Sequence, residues 1–252
     1  MKLRIFKNSE QLGAAAATQA ADILNQAIAE KGGARLVVAT GRSQIDTLEA
    51  LIKMPIAWEK VEMFHLDEYL GMQETHPASF RKYLKERFVS PAGIHKVHYV
   101  SGEGNVDENI CKLTAEISSA PIDLGLIGIG ENAHIAFNDP PANFMTKEAY
   151  IVVNLDENCK KQQMGEGWFA ALEDVPKQAV TMTVCQIMRC KVIISCVPYS
   201  VKAEAVKKTL ENDVTEWIPA TILKTHENCT LFLDNDSASL ISRSLYSKYM
   251  EQ

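Results

Sequence analysis

Short apolar runs alternate with longer segments of helical periodicity along almost the whole chain, and this alternation constrains the fold more than any other feature. An apolar run of about four to eight residues is typical of a buried strand, whereas apolar residues three or four positions apart are typical of a helix. We predict strands near residues 2–6, 35–40, 61–66, 96–100, 121–128, 149–154, 178–184, 191–197 and 229–233, and helices near residues 8–31, 44–54, 78–88, 107–118, 200–211 and 235–249. Because strands that alternate with helices form parallel βα units, we expect an α/β fold: a doubly wound, mostly parallel sheet with helices on both faces.

The length and composition fit one domain. The chain has 252 residues, of which 46% are hydrophobic, and this is enough for one large core. No stretch rich in Pro, Gly or Ser divides the sequence, and no internal repeat is visible. We therefore predict a single domain over residues 1–252, since α/β chains of this length often form one domain.

Charge and hydrophobicity exclude several classes of protein. The net charge of -6 argues against nucleic acid as a partner, because its phosphates are bound by clustered Lys and Arg; a local basic pocket for one small phosphate is still allowed. No apolar run reaches the ~20 residues of a membrane span, and residues 1–6 lack the apolar segment of a signal peptide. We expect a cytoplasmic protein that binds neither nucleic acid nor membrane. A homo-oligomer is compatible with the sequence.

The six cysteines indicate no metal or redox site. They form no Cys-x-x-Cys pair and lack the Cys and His spacing of a zinc site. In a cytosolic protein such cysteines are mostly reduced and buried. We therefore predict neither a bound metal nor another cofactor.

Polar side chains follow three of the predicted strands where each strand ends. The first strand of the three leads into Thr40-Gly41-Arg42-Ser43, the second into Asp67-Glu68, and the third into a glycine-rich turn with Asn132, His134 and Asp139. Open α/β sheets place their chemistry at such strand ends. A Gly-Arg-Ser turn before a helix suits a phosphate through its N–H groups, hydroxyl and guanidinium, although such a turn is more often a plain helix cap. His134 is the side chain there that exchanges a proton near neutral pH.

The order of these segments resembles the glucosamine-6-phosphate deaminase (isomerase) family. The resemblance rests on Thr40-Gly41-Arg42-Ser43, on Leu66-Asp67-Glu68-Tyr69-Leu70-Gly71, and on Gly128-Ile129-Gly130-Glu131-Asn132-Ala133-His134-Ile135-Ala136-Phe137-Asn138-Asp139-Pro140. It continues through Val175-Pro176-Lys177, Lys202-Ala203-Glu204-Ala205-Val206 and Ile218-Pro219-Ala220, and so covers nearly the whole chain. It implies an enzyme that converts glucosamine 6-phosphate, or galactosamine 6-phosphate, and water to the ketohexose 6-phosphate and ammonia.

The resemblance also implies a role for each candidate residue. Asp67 matches the base that moves a proton between C2 and C1, a task that needs a carboxylate with a pKa close to neutral. His134 matches the group that opens the sugar ring, with Asn132 and Asp139 as the residues that orient it. The 6-phosphate is expected at Thr40, Gly41, Arg42, Ser43 and Lys202.

The sequence departs from the family pattern at two of these positions. Asn132 stands where Asp is commonest, and an Asn side chain accepts a hydrogen bond from an imidazole without adding charge. Arg42 replaces a glycine of the usual turn, and it either adds a phosphate contact or points outward. The plainer interpretations are that Asp67 caps a turn and that Lys202 is a solvated helix lysine.

Two other functions share the resemblance. Lactonases of the 6-phosphogluconolactonase type are ester hydrolases that resemble this fold, but they tend to have Arg at the position of Tyr69 and Thr-Ala-Ser directly after the His. Sugar-phosphate sensors in some bacterial transcription regulators also resemble it, but they usually carry an N-terminal helix-turn-helix, whereas this sequence starts with a predicted strand. The sequence therefore favours the deaminase.

Overall fold

Residues 1–250, the part of the chain that the computed structural model describes, contain ten strands. Their bounds are β1 Lys2–Phe6, β2 Ala34–Val38, β3 Val61–His65, β4 Asp67–Tyr69, β5 Lys96–His98, β6 Leu124–Ile127, β7 Tyr150–Asn154, β8 Gln178–Met182, β9 Val192–Val197 and β10 Cys229–Asp234. Seven of them form one sheet in the order β1-β10-β9-β6-β2-β3-β5, and every neighbouring pair is parallel. The predicted α/β fold with a mostly parallel sheet is confirmed.

The other three strands form a separate antiparallel sheet in the order β4-β8-β7. Two predicted strands, near 149–154 and 178–184, therefore lie outside the parallel sheet. The third strand of this sheet, β4, was not predicted. One residue separates it from β3, and its first residue, Asp67, pairs with Thr181 of β8. This small sheet fixes the backbone of Asp67 at the carboxyl end of β3.

Helices cover both faces of the parallel sheet, as predicted. Their bounds are α1 Ser9–Lys31, α2 Ile45–Leu51, α3 Phe80–Leu84, α4 Ser90–Ala92, α5 Val106–Ser118, α6 Glu157–Gly165, α7 Val184–Ile187, α8 Ala203–Glu211 and α9 Arg243–Met250. Side chains alternate across β2: Leu36 and Val38 contact the core beneath α1 and α2, whereas Val37 contacts the core beneath α5 and α8. A π-helical turn, Lys85–Val89, joins α3 to α4.

Three helical segments differ from the prediction. The helix expected over 235–249 begins at Arg243, because Asp234 and Ser237 form a local hydrogen-bonded turn after β10. Helices α6 and α7 were not predicted. Among the described residues, no helix is both long and apolar enough to cross a membrane.

Candidate active site

One pocket lies at the carboxyl ends of β2, β3 and β6, the edge where open parallel sheets bind ligands. Its empty space, including the part that is open to solvent, is about 530 Å³. The polar side chains that line it come from five separate parts of the chain and are Thr40, Ser43, Gln44, Asp67, His134, Gln162, Gln163, Glu166 and Lys202. The fold thus brings together Asp67, His134 and Lys202, which lie far apart in the sequence.

The turn after β2 forms the first wall of the pocket. Gly41 has φ 97° and ψ 171°, a conformation that glycine adopts freely, and a 3-10 turn over Arg42–Gln44 follows and leads into α2. Thr40, Gly41 and Ser43 line the pocket, whereas the side chain of Arg42 is exposed and does not. The structure therefore brings four of the five predicted phosphate residues, counting Lys202, to one pocket and leaves the Arg42 guanidinium outside it.

Lys202 reaches the pocket from the turn after β9. Its side chain is 3% exposed, and burial lowers the pKa of its ammonium, while the nearby Glu166 and Glu131 carboxylates act in the opposite direction. A buried ammonium group is costly unless an anion offsets its charge. The solvated surface lysine that sequence statistics favour is therefore not observed, and Lys202 is instead a buried residue that lines the pocket.

The turn that holds Lys202 has an unusual backbone. Tyr199 has φ 81° and ψ 147°, a region that is almost restricted to glycine. Both carboxylate oxygens of Asp234 accept the Tyr199 N–H, at 3.2 and 3.0 Å, and Tyr199 O accepts the Lys202 N–H at 3.0 Å.

Asp67 projects a nearly unpaired carboxyl group into the pocket. It is 6% exposed, and no hydrogen bond to its carboxyl oxygens is found among residues 1–250. Burial, and then the neighbouring Glu68 charge, raise its pKa well above the ordinary value of 3.8. A carboxyl with a raised pKa can both accept and return a proton near neutral pH.

Glu68, the residue after Asp67, has a structural role. Its carboxylate accepts hydrogen bonds from the Ser79 hydroxyl at 2.7 Å and from the N–H groups of Phe80 and Arg81 at 3.3 and 3.0 Å. It also pairs with the Arg81 guanidinium at 3.3 Å. Glu68 thus fixes the start of α3 and adds negative charge behind Asp67 without entering the pocket.

His134 lies above Gly130 in a tight turn after β6. A Cβ on Gly130 would lie 2.2 Å from His134 Nε2, so only glycine leaves room for the imidazole. Ala133 and Ala136, at φ 67° and 51°, adopt left-handed conformations that fold the turn back. The other ring nitrogen, Nδ1, is 2.9 Å from Asp139 Oδ1.

Asn132 contacts Asp139 rather than the imidazole. Its amide donates to Asp139 Oδ1 at 3.0 Å, and its oxygen accepts the backbone N–H of His134 at 3.1 Å. Burial raises the pKa of Asp139, but contacts with His134 and Asn132 outweigh burial and leave that pKa lowered. The expected bond from the imidazole to Asn132 is thus not observed, and of the two predicted orienting residues it is Asp139 that lies next to the ring of His134.

Helix α6 supplies pocket residues that the sequence did not indicate. Gln162 accepts the Glu131 N–H at 2.9 Å and donates to Glu166 at 2.9 Å. The Glu166 carboxylate also accepts the Trp168 indole N–H at 3.1 Å, and it lies 3.5 Å from the Arg42 N atom. A carboxylate therefore lies beside the turn where a phosphate is expected.

The pocket wall contains one cluster of metal-binding atom types. The side chains of His134, Asp139 and Cys159 have ligand atoms within 4.8 Å of one another. Burial and the neighbouring Asp139 raise the pKa of the Cys159 thiol well above its ordinary value, and the thiolate is the form that binds metals. This cluster therefore gives no reason to expect a metal. The absence of a metal site stays a prediction from the sequence.

Known proteins are similar in sequence to this chain over almost its whole length. Residues 7–232 match the family model for glucosamine-6-phosphate isomerases/6-phosphogluconolactonase. A glucosamine-6-phosphate deaminase of Thermoanaerobacter sp. (strain X514) is 35% identical over 249 residues, covering 96% of this chain and 95% of the relative. That of Oenococcus oeni (strain ATCC BAA-331 / PSU-1) is 33% identical over 96% of this chain and 100% of its own length.

Solved structures agree with this result. The structure of a monomeric glucosamine-6-phosphate deaminase superposes with a TM-score of 0.88 at 30% identity, covering 95% of this chain and 100% of that protein. A 6-phosphogluconolactonase from Shewanella baltica OS155 superposes with a TM-score of 0.77 at 18% identity, covering 93% and 97%. The second similarity is one of fold alone.

Proposed function

The chain belongs to the glucosamine-6-phosphate isomerase/6-phosphogluconolactonase family, and we propose that it is an enzyme of the deaminase branch, converting glucosamine 6-phosphate and water to fructose 6-phosphate and ammonia. The observation that carries this proposal is the pocket itself. A carboxyl with a raised pKa, a histidine that is paired with Asp139 and a buried lysine line one pocket.

Lys202 and the turn over Thr40–Ser43 bind the phosphate in this proposal. A dianionic phosphate suits a buried ammonium group and the free N–H groups at the start of a helical segment. Ser43 and Thr40 add hydroxyl donors from the same wall of the pocket. The sugar then extends from this wall toward Asp67 and His134.

His134 opens the sugar ring. Its Nε2 side faces Gly130 at the pocket, while Nδ1 lies 2.9 Å from Asp139 Oδ1, so that this carboxylate is placed to orient the ring. The imidazole moves a proton from the anomeric hydroxyl to the ring oxygen, and the C1–O5 bond breaks. The product is the open-chain amino aldose.

Asp67 then moves a proton from C2 to C1. Its carboxylate takes the C2 proton while O1 gains a proton from the ammonium group of the substrate, which gives an enolamine. The Asp67 carboxyl then returns its proton to C1, which leaves an iminium group at C2. Water adds to C2, and ammonia leaves as the C2 carbonyl forms, so that the atoms of the amino sugar and water are all found in the two products. The raised pKa of Asp67 suits both halves of the transfer.

The position that distinguishes lactonases supports the deaminase. Tyr69 is fully buried and donates its hydroxyl to Gln163 at 2.8 Å, so it brings no cation to the pocket where lactonases tend to have Arg. The side chains after His134, Ile135 and Phe137, are buried and apolar. A lactonase would need polar groups there to stabilise an oxyanion.

Parallel assays test this proposal. The purified protein is incubated with glucosamine 6-phosphate, galactosamine 6-phosphate or 6-phosphogluconolactone, and ammonia or acid release is measured. We expect ammonia from glucosamine 6-phosphate and none from a His134→Asn variant. Acid release from the lactone alone would identify a lactonase, and tight binding without turnover would identify a sugar-phosphate sensor.

We also propose a place and a process for the enzyme: the cytoplasm and N-acetylglucosamine catabolism. The six cysteines are all unpaired thiols, as is usual in a reducing compartment. Ammonia release from an amino sugar phosphate is a hydrolytic, degradative step. The homo-oligomer that the sequence allows is tested by measuring the mass in solution.

A further inference from the structure

The backbone of Tyr199 is held in a conformation that costs free energy. Its φ of 81° with ψ of 147° is close to the region that only glycine occupies readily. Such residues persist where surrounding contacts fix them, and they concentrate at functional sites. Tyr199 stands three residues before Lys202, on the same turn.

Asp234 is the contact that fixes this conformation. It is the last residue of β10, its side chain is 2% exposed, and both its oxygens accept the Tyr199 N–H. Its Oδ1 also accepts the Ser237 N–H at 2.8 Å, so the carboxylate cannot turn away without breaking a second bond. Hydrogen bonds to a carboxylate are stronger than those between neutral groups.

Tyr199 also connects the two walls of the pocket that are expected to bind phosphate. Tyr199 O accepts the backbone N–H of Lys202 at 3.0 Å, which sets the direction from which the lysine enters the pocket. The Tyr199 hydroxyl lies 3.5 Å from Asp46 Oδ2, in the first turn of α2, directly after the Arg42–Gln44 turn. A change at Tyr199 is therefore transmitted to Lys202 and to the opposite wall.

We propose that Tyr199 and Asp234 are positioning residues that direct the Lys202 ammonium toward the substrate phosphate. The proposal rests on the proposed function for the identity of the ligand. Without the Asp234 carboxylate, the backbone at Tyr199 relaxes to an ordinary extended conformation. The turn then changes shape, and the Lys202 ammonium no longer points toward the phosphate position. With glycine at 199 there is no strain to relieve, so the turn keeps its shape without Asp234.

A double-mutant cycle tests this coupling. The variants are Asp234→Ala, Tyr199→Gly and the double variant, and the measurements are KM and kcat for glucosamine 6-phosphate and the affinity for inorganic phosphate by calorimetry. We expect Asp234→Ala to weaken phosphate binding and raise KM by roughly tenfold with a smaller effect on kcat. Whatever Tyr199→Gly costs by itself, we expect Asp234→Ala to cause a much smaller loss of phosphate affinity in the Tyr199→Gly background than in the wild-type background.

Two outcomes would overturn the proposal. One is an additive cycle, in which Asp234→Ala lowers the phosphate affinity by the same factor in the Tyr199→Gly background as in the wild-type background, since a merely structural Asp234 would act in that way. The other is an unchanged phosphate affinity in a folded Asp234→Ala variant. If that variant does not fold, Asp234→Asn, which retains one acceptor oxygen, must show a smaller loss that Tyr199→Gly again reduces.

A separate variant distinguishes failure of this inference from failure of the proposed function. Lys202→Gln is expected to abolish measurable phosphate binding whatever the behaviour of Tyr199. If Lys202→Gln binds phosphate normally, the phosphate site itself is wrongly assigned. If it does not, while the cycle is additive, only the positioning role of Tyr199 and Asp234 is refuted.

Discussion

Replacement of Asp67 by asparagine should make the protein more stable and far less active. The change keeps the size of the side chain and removes a charge that is buried and almost unpaired. In the folded protein, burial and the Glu68 charge raise the pKa of Asp67 well above its ordinary value of 3.8. The folded state therefore binds the proton of Asp67 more tightly than the unfolded state does.

The sign and size of the effect follow from this difference in proton binding. As the pH rises from the unfolded pKa through the folded pKa, the stability contributed by the proton is lost. Each pKa unit corresponds to about 1.4 kcal/mol, and 1 kcal/mol to about 2–4 °C in Tm for a chain of this size. We therefore expect Asp67→Asn to melt at least about 2–4 °C above wild type at neutral pH, while kcat falls by about 10²–10⁴.

Thermal melting across pH and steady-state kinetics measure the two effects. The difference in Tm between Asp67→Asn and wild type should shrink as the pH falls through 3.8, the ordinary pKa of the group, because below that pH the carboxyl is protonated in the unfolded state as well as in the folded state. The same replacement at the exposed Asp213 is the matched control and should leave Tm and kcat unchanged. An Asp67→Asn variant that melts below wild type, or a Tm difference that does not vary with pH, would refute the reasoning.

Three further changes probe the rest of the pocket. Asn132→Asp replaces a hydrogen-bond donor to Asp139 by a like charge, so the pKa of Asp139 should rise. The acid limb of the kcat/KM profile should then move up by about one pH unit. An acid limb that does not move would show that this hydrogen bond does not influence the pKa of Asp139. Glu166→Gln removes a negative charge beside the turn where the phosphate is expected. The KM for glucosamine 6-phosphate and the inhibition constant of inorganic phosphate should therefore both fall by the same factor, roughly three- to tenfold. A higher KM would mean that Glu166 contacts the sugar. Gly130→Ala forces His134 from its position and should lower kcat at least about 100-fold without removing any functional group; full activity in this variant would show that the imidazole is not needed there.

The convergence of Asp67, His134 and Lys202 follows from the alternation of strands and helices in the sequence. In a parallel sheet all carboxyl ends lie at one edge, so polar residues directly after several strands must approach one another. Each of the three residues follows a strand that the apolar pattern identified. Their roles in catalysis stay predictions, since no contact of the ligand-free protein assigns them.

The contacts of Asn132 and Glu166 could not be predicted from local patterns. We expected the Asn132 side chain to face the imidazole of His134. The left-handed backbone at Ala133 instead turns His134 away from Asn132, and the Asn132 amide faces Asp139. Glu166 reaches the pocket only through the packing of α6, a polar segment without the periodicity of an amphipathic helix. Such placements depend on tertiary contacts rather than on sequence spacing.

The antiparallel sheet was missed for a similar reason. The segments that became β7 and β8 have the same apolar character as the parallel strands, and strand propensity does not encode the direction of the partner. The short β4 has only three residues, two of them acidic, and it forms because β8 pairs with it.

The order of strands in the parallel sheet also affects how the protein is made. Among the strands of the described residues, β1 is synthesised before the others and β10 after them, yet the two are neighbours in the parallel sheet. At about 5–20 residues per second, the roughly 220 residues between them take some tens of seconds to appear. During that time β1 lacks the partner strand that it has in the sheet. Premature termination between β9 and β10 therefore leaves both β1 and the edge of β9 that β10 covers unpaired in the same product, which is the property that directs an incomplete chain to aggregation or to a protease.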